Sequence, residues 1–411
     1  MDNINTPMPN RLPIDCVKHM NDNQQIALGI DNLAESDRMR GQRVGLVCNP
    51  ASVDSHFRHT ADRLWLTPEI ELASLFGPQH GFHSDVQDNM IETPHRVHPQ
   101  YGIPVYSLYS DQREPTTEML RDIDVLVIDL QDVGTRVYTY IYTMANCLRA
   151  CKKYGMPVIV CDRPNPIGGN QIEGPVLQSG YESFVGQFPI ALRHGMTIGE
   201  LATLFNEHFG IGANLQVVTL GGWNRSLYHD QTKQPWISPS PNLPTLDSAV
   251  VYSGTVLFEG TNLSEGRGTT HPFECIGSPW IDSFAFSHQL QNANLPGLKV
   301  RPVEFEPTFQ KYAGEACGGC HLHVTDRNLF KPVLTAITIL SITRKLAPKE
   351  FSWRRPPYEY EHKLQPIDIL FGSDVLRKQI DANISVNEIE TNWQEDLKSF
   401  SSLRKQFLLY S

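Results

Sequence analysis

Positive charge is scarce in this sequence, and lysine and arginine are not clustered anywhere along it. Lys and Arg together number 35 against 45 Asp and Glu, so the formal net charge is −10 at pH 7. Nucleic acids and anionic membranes select clustered positive charge, so we expect neither as a partner. Residues 1–20 contain no continuous apolar stretch, so we expect no secretory signal or membrane anchor there and a cytoplasmic location.

Motifs of several catalytic classes are also missing. The phosphate-binding pattern G-x-x-x-x-G-K-[ST] is absent, and no G-x-G-x-x-G follows the first predicted strand. We therefore expect no nucleotide cofactor, and an oxidoreductase is poorly supported. The patterns H-E-x-x-H and G-x-S-x-G do not occur either. This leaves carboxylates as the favoured catalysts, and glycoside hydrolysis requires a pair of them.

The eight cysteines are scattered without the dense spacing of a disulfide-stapled domain. One string, C-x-x-C-H-x-H at residues 317–323, contains groups that zinc could use as ligands. A structural zinc site needs a complete ligand set, however, and His321, His323 and Thr325 alternate with apolar residues as they would in a strand. We expect reduced cysteines, a glycine-rich turn that enters a strand here, and no bound metal.

The first half of the chain alternates short apolar runs with helical patterns, which predicts an α/β fold with a parallel sheet. The helix predicted at residues 137–153 makes a β-α-β unit with the strands on either side of it. The predicted strands lie at residues 43–48, 70–76, 103–108, 124–130, 157–161 and 215–220. Ligands of such sheets bind beyond the carboxyl ends of the strands. The residues expected at these ends are Asp129, Gln131, Asp132, Asp162 and Arg163.

The residue pattern of the last third of the chain differs from that of the preceding part, and it predicts a second, smaller α+β unit. We predict two domains, at residues 20–295 and 296–411. The second contains strands near 300–305 and 321–325, helices near 332–345 and 375–382, and a terminal helix that ends in residues 407–410 and docks on the body of the protein. In the first domain, Thr197 followed by Glu200 predicts a helix N-terminus with a capping box.

Polar side chains are concentrated in four segments, at residues 77–82, 87–92, 129–138 and 259–274. Each segment combines turn-forming residues with carboxylates, amides or a guanidinium, as ligand sites do. A structural alternative stays open, because Asp132 can cap the following helix and residues 259–271 can form an Ω-loop without a ligand. His80, His194 and His271 could be acid, base or ligand groups, or hydrogen-bonded structural groups beside turns.

Six strings, in this order, resemble the exo-β-N-acetylmuramidase (NamZ) family. They occupy residues 77–82, 129–140, 162–169, 184–186 with Pro189, 194–201, and 261–269 with Pro272 and Phe273. The resemblance extends from about residue 43 to the C-terminus. It implies a Rossmann-like domain, a smaller C-terminal domain, and an active site in the cleft between them. It also implies release of N-acetylmuramic acid from the non-reducing end of peptidoglycan fragments, with a small muropeptide or amino-sugar glycoside as substrate.

One residue departs from the family pattern. Family members commonly carry a glutamate before a His-Gly pair, whereas this chain has Gln79, His80 and Gly81. An amide cannot act as a proton donor in acid catalysis. Either the family glutamate only forms hydrogen bonds, or another carboxylate replaces it, with Glu92 the nearest candidate.

The catalytic hypothesis that follows assigns Glu92 as general acid or acid/base. Asp129 or Asp132 would stabilise the oxocarbenium-like transition state or orient water. A guanidinium matches a carboxylate in bidentate geometry, so an arginine would bind the lactyl carboxylate of the substrate. The candidates for this role are Arg136, Arg163 and Arg267.

The other predicted substrate-binding residues are Gln79, His80, Gln131, Tyr138, Asn165, His194, Asn262 and Glu265. Two alternative functions stay open. One is a hydrolase of another amino sugar, and the other is a non-catalytic muropeptide-binding protein, which Gln79 makes conceivable.

Overall fold

The structure, a computed structural model, describes residues 26–88 and 90–411. The N-terminal segment 1–20, the domain start predicted at residue 20, and Asn89 of the polar segment 87–92 lie outside the described residues. Within the described part of the chain, no helix has both the length and the apolar character that a membrane crossing requires.

The strands and helices that the structure describes are as follows. The strands are β1 (Arg43–Val47), β2 (Glu71–Gly77), β3 (Arg96–Val97), β4 (Pro104–Ser107), β5 (Val125–Ile128), β6 (Val158–Cys161), β7 (Glu173–Val176), β8 (Ala191–Arg193), β9 (Leu215–Val218), β10 (Cys275–Ser278), β11 (Leu298–Phe305) and β12 (Cys317–Val324). The helices are α1 (Gly29–Ala34), α2 (Thr60–Trp65), α3 (Thr117–Leu120), α4 (Tyr140–Tyr154), α5 (Ile198–Thr203), α6 (Leu246–Thr255), α7 (Ser283–Asn292), α8 (Pro332–Leu346), α9 (Pro366–Phe371), α10 (Val375–Asp381), α11 (Val386–Asn392) and α12 (Gln394–Arg404). Short 3-10 turns occupy Asp37–Met39, His229–Gln231 and Val256–Gly260, and a π-helical turn occupies Leu204–His208.

Seven strands form the central sheet, in the order β3-β4-β2-β1-β5-β6-β9. All neighbours are parallel except β3, which pairs antiparallel with β4 at one edge. The parallel strands reverse their direction of progression between β1 and β5, as in a Rossmann-like sheet. The predicted α/β fold is therefore confirmed, and the reversal marks where a ligand is expected beyond the strand ends.

Apolar side chains cover both faces of this sheet. In β5, Val125 and Val127 belong to the core on one face, and Leu126 and Ile128 belong to the core on the other. A strand buried on both faces gives an unbroken apolar run rather than an alternating one, which is why β5 is conspicuous in the sequence. The core that contains Ile128 continues into the C-terminal part and includes side chains of β10 and α8.

The C-terminal part contains a smaller antiparallel sheet, in the order β10-β12-β11, with α7 packed against it. This agrees with the predicted α+β unit, although β10 comes from the chain before residue 296. The prediction of a glycine-rich turn at the C-x-x-C-H-x-H string is wrong, because the whole string lies in β12. Gly319 permits this strand pairing, since a Cβ there would lie 2.1 Å from the Ile276 carbonyl oxygen.

Two predictions about helix ends have different outcomes. The Thr197 hydroxyl accepts a hydrogen bond from the Glu200 N–H at 3.3 Å, and the Glu200 carboxylate accepts one from the Thr197 N–H at 3.0 Å. The capping box is therefore confirmed. The terminal helix, however, ends at Arg404 and not near residue 410. Side chains hold the tail instead, since the Tyr410 hydroxyl donates to the Asp162 carboxylate at 2.6 Å.

Candidate active site

A cleft opens beyond the carboxyl ends of β2 and β5. Loops that follow these two strands form part of its wall, and residues 358–359 from the C-terminal part form another. The described residues that line it are Gln79, His80, Val137, Tyr138, Thr139, Tyr140, Val185, Ser240, Asn242, Leu243, Tyr252, Val256, Glu259, Arg267, Phe273, Tyr358 and Glu359. Aromatic rings with a few converging polar groups are typical of small-molecule sites.

Glu359 is a buried carboxyl group of this cleft, with 3% of its surface exposed. One carboxyl oxygen lies 3.3 Å from the Gln79 amide nitrogen, and the other lies 3.1 Å from the Tyr109 hydroxyl. Burial, with a smaller contribution from the charge of Glu259, raises the pKa of Glu359 to about 7. The group therefore keeps its proton over a pH range in which an ordinary glutamate is ionised.

A second carboxyl, Glu259, lies in the opposite electrostatic environment. Arg267 Nη2 donates to one of its oxygens at 2.6 Å, and the Tyr358 hydroxyl donates to the other at 2.7 Å. Burial acts to raise the pKa of Glu259, but the Arg267 charge and these hydrogen bonds outweigh it and hold the pKa below its ordinary value. Paired carboxyls whose environments separate their pKa values divide into an acid and a charged partner.

The backbone in and beside the cleft adopts conformations that are unfavourable for side-chain-bearing residues. The angle φ is 69° at His80, 66° at Phe273, 44° at Glu359 and 67° at Tyr360. Such conformations cost about 1–3 kcal/mol each and persist only where the surroundings enforce them, often at functional sites. Their concentration here supports a functional role for the cleft.

His80 adds a neutral imidazole to the cleft wall. Its Nδ1 lies 2.8 Å from the Val86 carbonyl oxygen, and because a carbonyl only accepts, Nδ1 carries the hydrogen. Burial lowers the pKa of His80 to about 4. At neutral pH the ring is therefore uncharged, and Nε2 is available as a hydrogen-bond acceptor.

The structure brings four of the predicted site residues together in the cleft wall. These are Gln79, His80, Tyr138 and Arg267. Arg267 is the one member of the three predicted carboxylate-binding arginines in this set. Its guanidinium carbon also lies 5.1 Å from the centre of the Phe273 ring, so the ring and the charge form one continuous surface.

Asp129 and Arg163 form a buried ion pair that does not line the cleft. Arg163 Nε and Nη2 lie 2.5 and 2.8 Å from the two Asp129 oxygens, and the Thr60 hydroxyl donates to the same carboxylate at 2.5 Å. Burial acts to raise the pKa of Asp129, but the Arg163 charge prevails and lowers it. The pair connects the ends of β5 and β6.

Asp132 organises the turn that follows β5. Its carboxylate accepts a hydrogen bond from the Gly134 N–H at 2.8 Å and lies 3.2 Å from His194 Nε2. The Gln131 amide donates to the Asp132 carbonyl at 2.7 Å, and the Asn165 amide donates to the Met196 carbonyl at 3.0 Å. None of the four predicted site residues Gln131, Asp132, Asn165 and His194 lines the cleft.

Arg136 is fully buried and binds backbone rather than facing the cleft. Its guanidinium donates to four carbonyl oxygens, those of Pro175, Ile190, Leu370 and Phe371. This clamp joins the β7-β8 pair to α9.

Asn262 and Glu265 also lie outside the cleft lining. The Asn262 amide donates to the Glu350 carbonyl at 2.8 Å, and Glu265 forms an ion pair of 2.8 Å with Lys311. Glu265 is also 3.5 Å from Arg267 Nε, so it influences the cleft through the charge of that arginine.

Glu92 lies at the outer rim. Its side chain is 42% exposed, with Arg113 Nη2 at 3.7 Å and the Tyr360 hydroxyl at 3.5 Å. Tyr360 adjoins Glu359 in the chain, so Glu92 approaches the cleft without lining it.

Sequence reasoning does not identify Glu359 or its partner Tyr109. Glu359 lies in the string P-P-Y-E-Y, which matches no catalytic motif, and it is 280 residues from Gln79. Glu259, in contrast, opens one of the four polar segments and so had a detectable signal. Elsewhere in the described residues, one group has the chemistry of metal ligands, and it consists of His271, Glu274 and His321.

Comparisons with known proteins agree with this architecture. Residues 44–247 match the family model for the N-terminal part of exo-beta-N-acetylmuramidase NamZ, and residues 250–410 match the model for its C-terminal part. The peptidoglycan beta-N-acetylmuramidase NamZ of Bacillus subtilis (strain 168) is 45% identical over 388 residues, which cover 94% of this chain and 92% of that protein. Crystal structures of two DUF1343 family proteins from Bacteroides fragilis NCTC 9343 cover 94% of this chain and 99% of their own. Their identities are 34% and 26%, with TM-scores of 0.84 and 0.74 respectively.

Proposed function

Because the chain belongs to the exo-β-N-acetylmuramidase NamZ family, we propose that the cleft between β2, β5 and residues 358–359 is its glycosidase active site. The protein is a β-N-acetylmuramidase that releases N-acetylmuramic acid from peptidoglycan fragments. The assignment of the cleft rests on its pair of carboxyls, Glu359 and Glu259, whose pKa values are shifted in opposite directions.

Glu359 is the general acid of this proposal. Cleavage breaks the bond between the anomeric carbon and the glycosidic oxygen, and that oxygen takes the proton of the Glu359 carboxyl. With a pKa of about 7, about half of the Glu359 carboxyls carry the proton at neutral pH, and the proton is acidic enough to transfer. A water molecule then adds to the anomeric carbon and returns a proton to Glu359. The Gln79 amide, 3.3 Å away, orients the carboxyl without competing for the proton.

Glu259 is the ionised partner. Positive charge develops on the sugar ring as the glycosidic bond breaks, and a fixed carboxylate in a largely buried cleft stabilises that charge. Both Glu259 oxygens are held by hydrogen bonds from Arg267 and Tyr358, so the charge is in place before the reaction begins.

Arg267 is the proposed contact for the lactyl carboxylate of N-acetylmuramic acid. The other two candidates do not line the cleft, since Arg136 binds four carbonyls and Arg163 binds Asp129. Arg267 lines the cleft and carries a delocalised charge next to the Phe273 ring. A guanidinium and an adjacent aromatic surface suit a carboxylate attached to a sugar ring.

Steady-state kinetics of Glu359→Gln on two substrates test the acid role. On the β-1,4 disaccharide of N-acetylmuramic acid and N-acetylglucosamine, we expect kcat to fall by about 10²–10⁴-fold. An aryl N-acetylmuramide with an acidic phenol needs less protonation of its leaving group, so the loss should be much smaller. Equal losses on both substrates would remove Glu359 from the acid role.

Glu92→Gln is the matched comparison, because it removes the carboxyl that sequence reasoning favoured and that lies at the rim. If Glu92→Gln shows the leaving-group dependence and Glu359→Gln does not, the acid role belongs to Glu92.

The two alternative functions are tested separately. The same assay on aryl N-acetylglucosaminides addresses hydrolysis of another amino sugar. Binding of N-acetylmuramic acid without turnover would favour the non-catalytic alternative.

We also propose that the protein works in the cytoplasm, where it acts on small imported wall fragments. The seven described cysteines are all unpaired and buried, which is compatible with a reducing compartment. Cell fractionation with detection of the native protein tests this location.

A further inference from the structure

A group of metal-ligand side chains lies outside the cleft, and the proposed reaction gives it no role. His271 and Glu274 belong to the turn that leads into β10, and His321 lies opposite this turn on β12, where it pairs with Cys275. We propose that His271, Glu274 and His321 form a binding site for one divalent transition-metal ion, of which Zn²⁺ is the representative.

The distances within the group are close to those of a tetrahedral zinc site. His321 Nε2 lies 3.5 Å from Glu274 Oε2, and His271 Nδ1 lies 3.9 Å from the same oxygen. Ligand atoms at the usual zinc distances are separated by about 3.3–3.6 Å in a tetrahedron. All three ligand atoms lie within 4.8 Å of one another. The remaining adjustment falls on His271, whose side chain is 52% exposed and whose ring already lies 4.9 Å from the His321 ring, centre to centre.

The carboxylate is already oriented for this role. Glu274 Oε1 accepts a hydrogen bond from the Ser248 hydroxyl at 2.7 Å, which leaves Oε2 facing both imidazoles. Hydrogen bonds of this kind from outer groups fix the orientation of metal ligands and contribute to affinity. Two imidazoles and one carboxylate, with room for water on the exposed side, make a ligand set that favours Zn²⁺ and its transition-metal neighbours over Mg²⁺ or Ca²⁺.

Arg301 is the group that opposes binding. Its Nη2 lies 3.4 Å from His321 Nδ1, so in the metal-free protein Nδ1 accepts and Nε2 carries the ring hydrogen toward Glu274. A metal on Nε2 shifts that hydrogen to Nδ1 and requires Arg301, an exposed residue of β11, to move away. The site is therefore expected to be weaker than one built without this arginine.

Metal binding would join a wall of the cleft to the C-terminal sheet. Phe273, between the two ligands of the turn, lines the cleft and packs edge-on against Tyr252 with ring centres 4.8 Å apart. An ion shared by this turn and β12 would restrict the motion of the Phe273 loop without taking part in the chemistry at Glu359.

The test is a Zn²⁺ titration of tag-free full-length protein, after dialysis against a chelator, by isothermal calorimetry. Co²⁺ serves as a spectroscopic probe, since nitrogen and oxygen ligands in tetrahedral geometry give it strong visible absorption. The variants are His271→Ala and His321→Ala, and the control is His288→Ala, which removes an exposed histidine of α7 outside the group. Circular dichroism verifies that each variant is folded.

We expect one Zn²⁺ ion bound with an affinity that His288→Ala leaves unchanged. Each ligand variant should weaken binding by at least about 10–100-fold, the loss known for outer-shell partners alone. If His321→Ala does not fold, exposed His271 still gives the answer. Absence of saturable Zn²⁺ binding by the wild type, or binding that survives His271→Ala unchanged, would overturn the proposal.

Discussion

Replacing Glu359 by glutamine should make the free energy of unfolding fall less as the pH rises. Glutamine has the shape of the protonated carboxyl group. Its oxygen can accept from the Gln79 amide and its NH₂ can donate to the Tyr109 hydroxyl, at the places where the two carboxyl oxygens now lie 3.3 and 3.1 Å from these partners. The variant therefore keeps the contacts of neutral glutamic acid but cannot ionise, and it isolates the free energy of ionising one buried group.

The magnitude follows from the pKa shift. Burial is the main reason that the pKa of Glu359 rises from its ordinary value of 4.5 to about 7, and at about 1.4 kcal/mol per unit this corresponds to about 3 kcal/mol. The folded state binds the proton more tightly than the unfolded state. The stabilising contribution is therefore fully present below the unfolded pKa and is lost as pH rises through the folded pKa.

The assay is urea unfolding of wild type and variant, followed by tryptophan fluorescence, at about pH 5 and about pH 8. Relative to Glu359→Gln, the wild type should lose about 2–3 kcal/mol of unfolding free energy between these two conditions, since pH 5 already lies slightly above the unfolded pKa. Glu92→Gln controls for the loss of one negative charge elsewhere. A difference between wild type and Glu359→Gln that is the same at both pH values would refute the assignment of a raised pKa to Glu359.

Three further predictions concern other residues of the structure. Gln79→Glu places a second carboxyl against Glu359, and two carboxyls at this separation share a proton. The alkaline limb of the pH profile of kcat/KM should therefore move up by about one pH unit or more. An unmoved limb would count against contact between the two side chains. Arg267→Lys keeps the positive charge but loses the planar guanidinium that can bind a carboxylate through two nitrogens. The inhibition constant of free N-acetylmuramic acid should therefore rise about tenfold, with a smaller change for N-acetylglucosamine. Equal changes for the two sugars would argue against a contact with the lactyl group. Arg136→Met leaves four buried carbonyls without their donor and should lower the unfolding free energy by about 3 kcal/mol or more; a loss below about 1 kcal/mol in urea unfolding would show that the clamp is dispensable.

Much of the fold could be predicted because its signals are local. The β5-α4-β6 unit is visible as two apolar runs around a helical pattern, and the Thr197–Glu200 capping box needs only four consecutive residues. Predictions failed where a distant contact decides the local structure. The glycines of β12 are typical of a turn in sequence, but pairing with β10 makes them part of a strand. The tail after Arg404 does not continue the helix, because Asp162 and Glu200 bind it.

The candidate site divides in the same way. Gln79, His80, Tyr138 and Arg267 lie in segments whose polar composition marks them in the sequence, and the structure brings these four to one cleft. Asp129, Asp132 and Arg163 have equally polar surroundings in the sequence, yet their side chains bind other protein groups near the ends of the strands and do not line the cleft. Composition reveals that a side chain can do chemistry, but the contacts that occupy it are set by packing.

The sequence by itself determined the six parallel strands of the central sheet, the helix between β5 and β6, the capping box and the family, since apolar periodicity, caps and ordered motifs are properties of neighbouring residues. Only the tertiary structure decided which carboxyl of the cleft can hold a proton. Glu359 is brought to Gln79 across 280 residues, and its raised pKa comes from burial and from the charge of Glu259. Both are properties of the assembled cleft, because desolvation and Coulomb interactions depend on distances in space and not on positions along the chain.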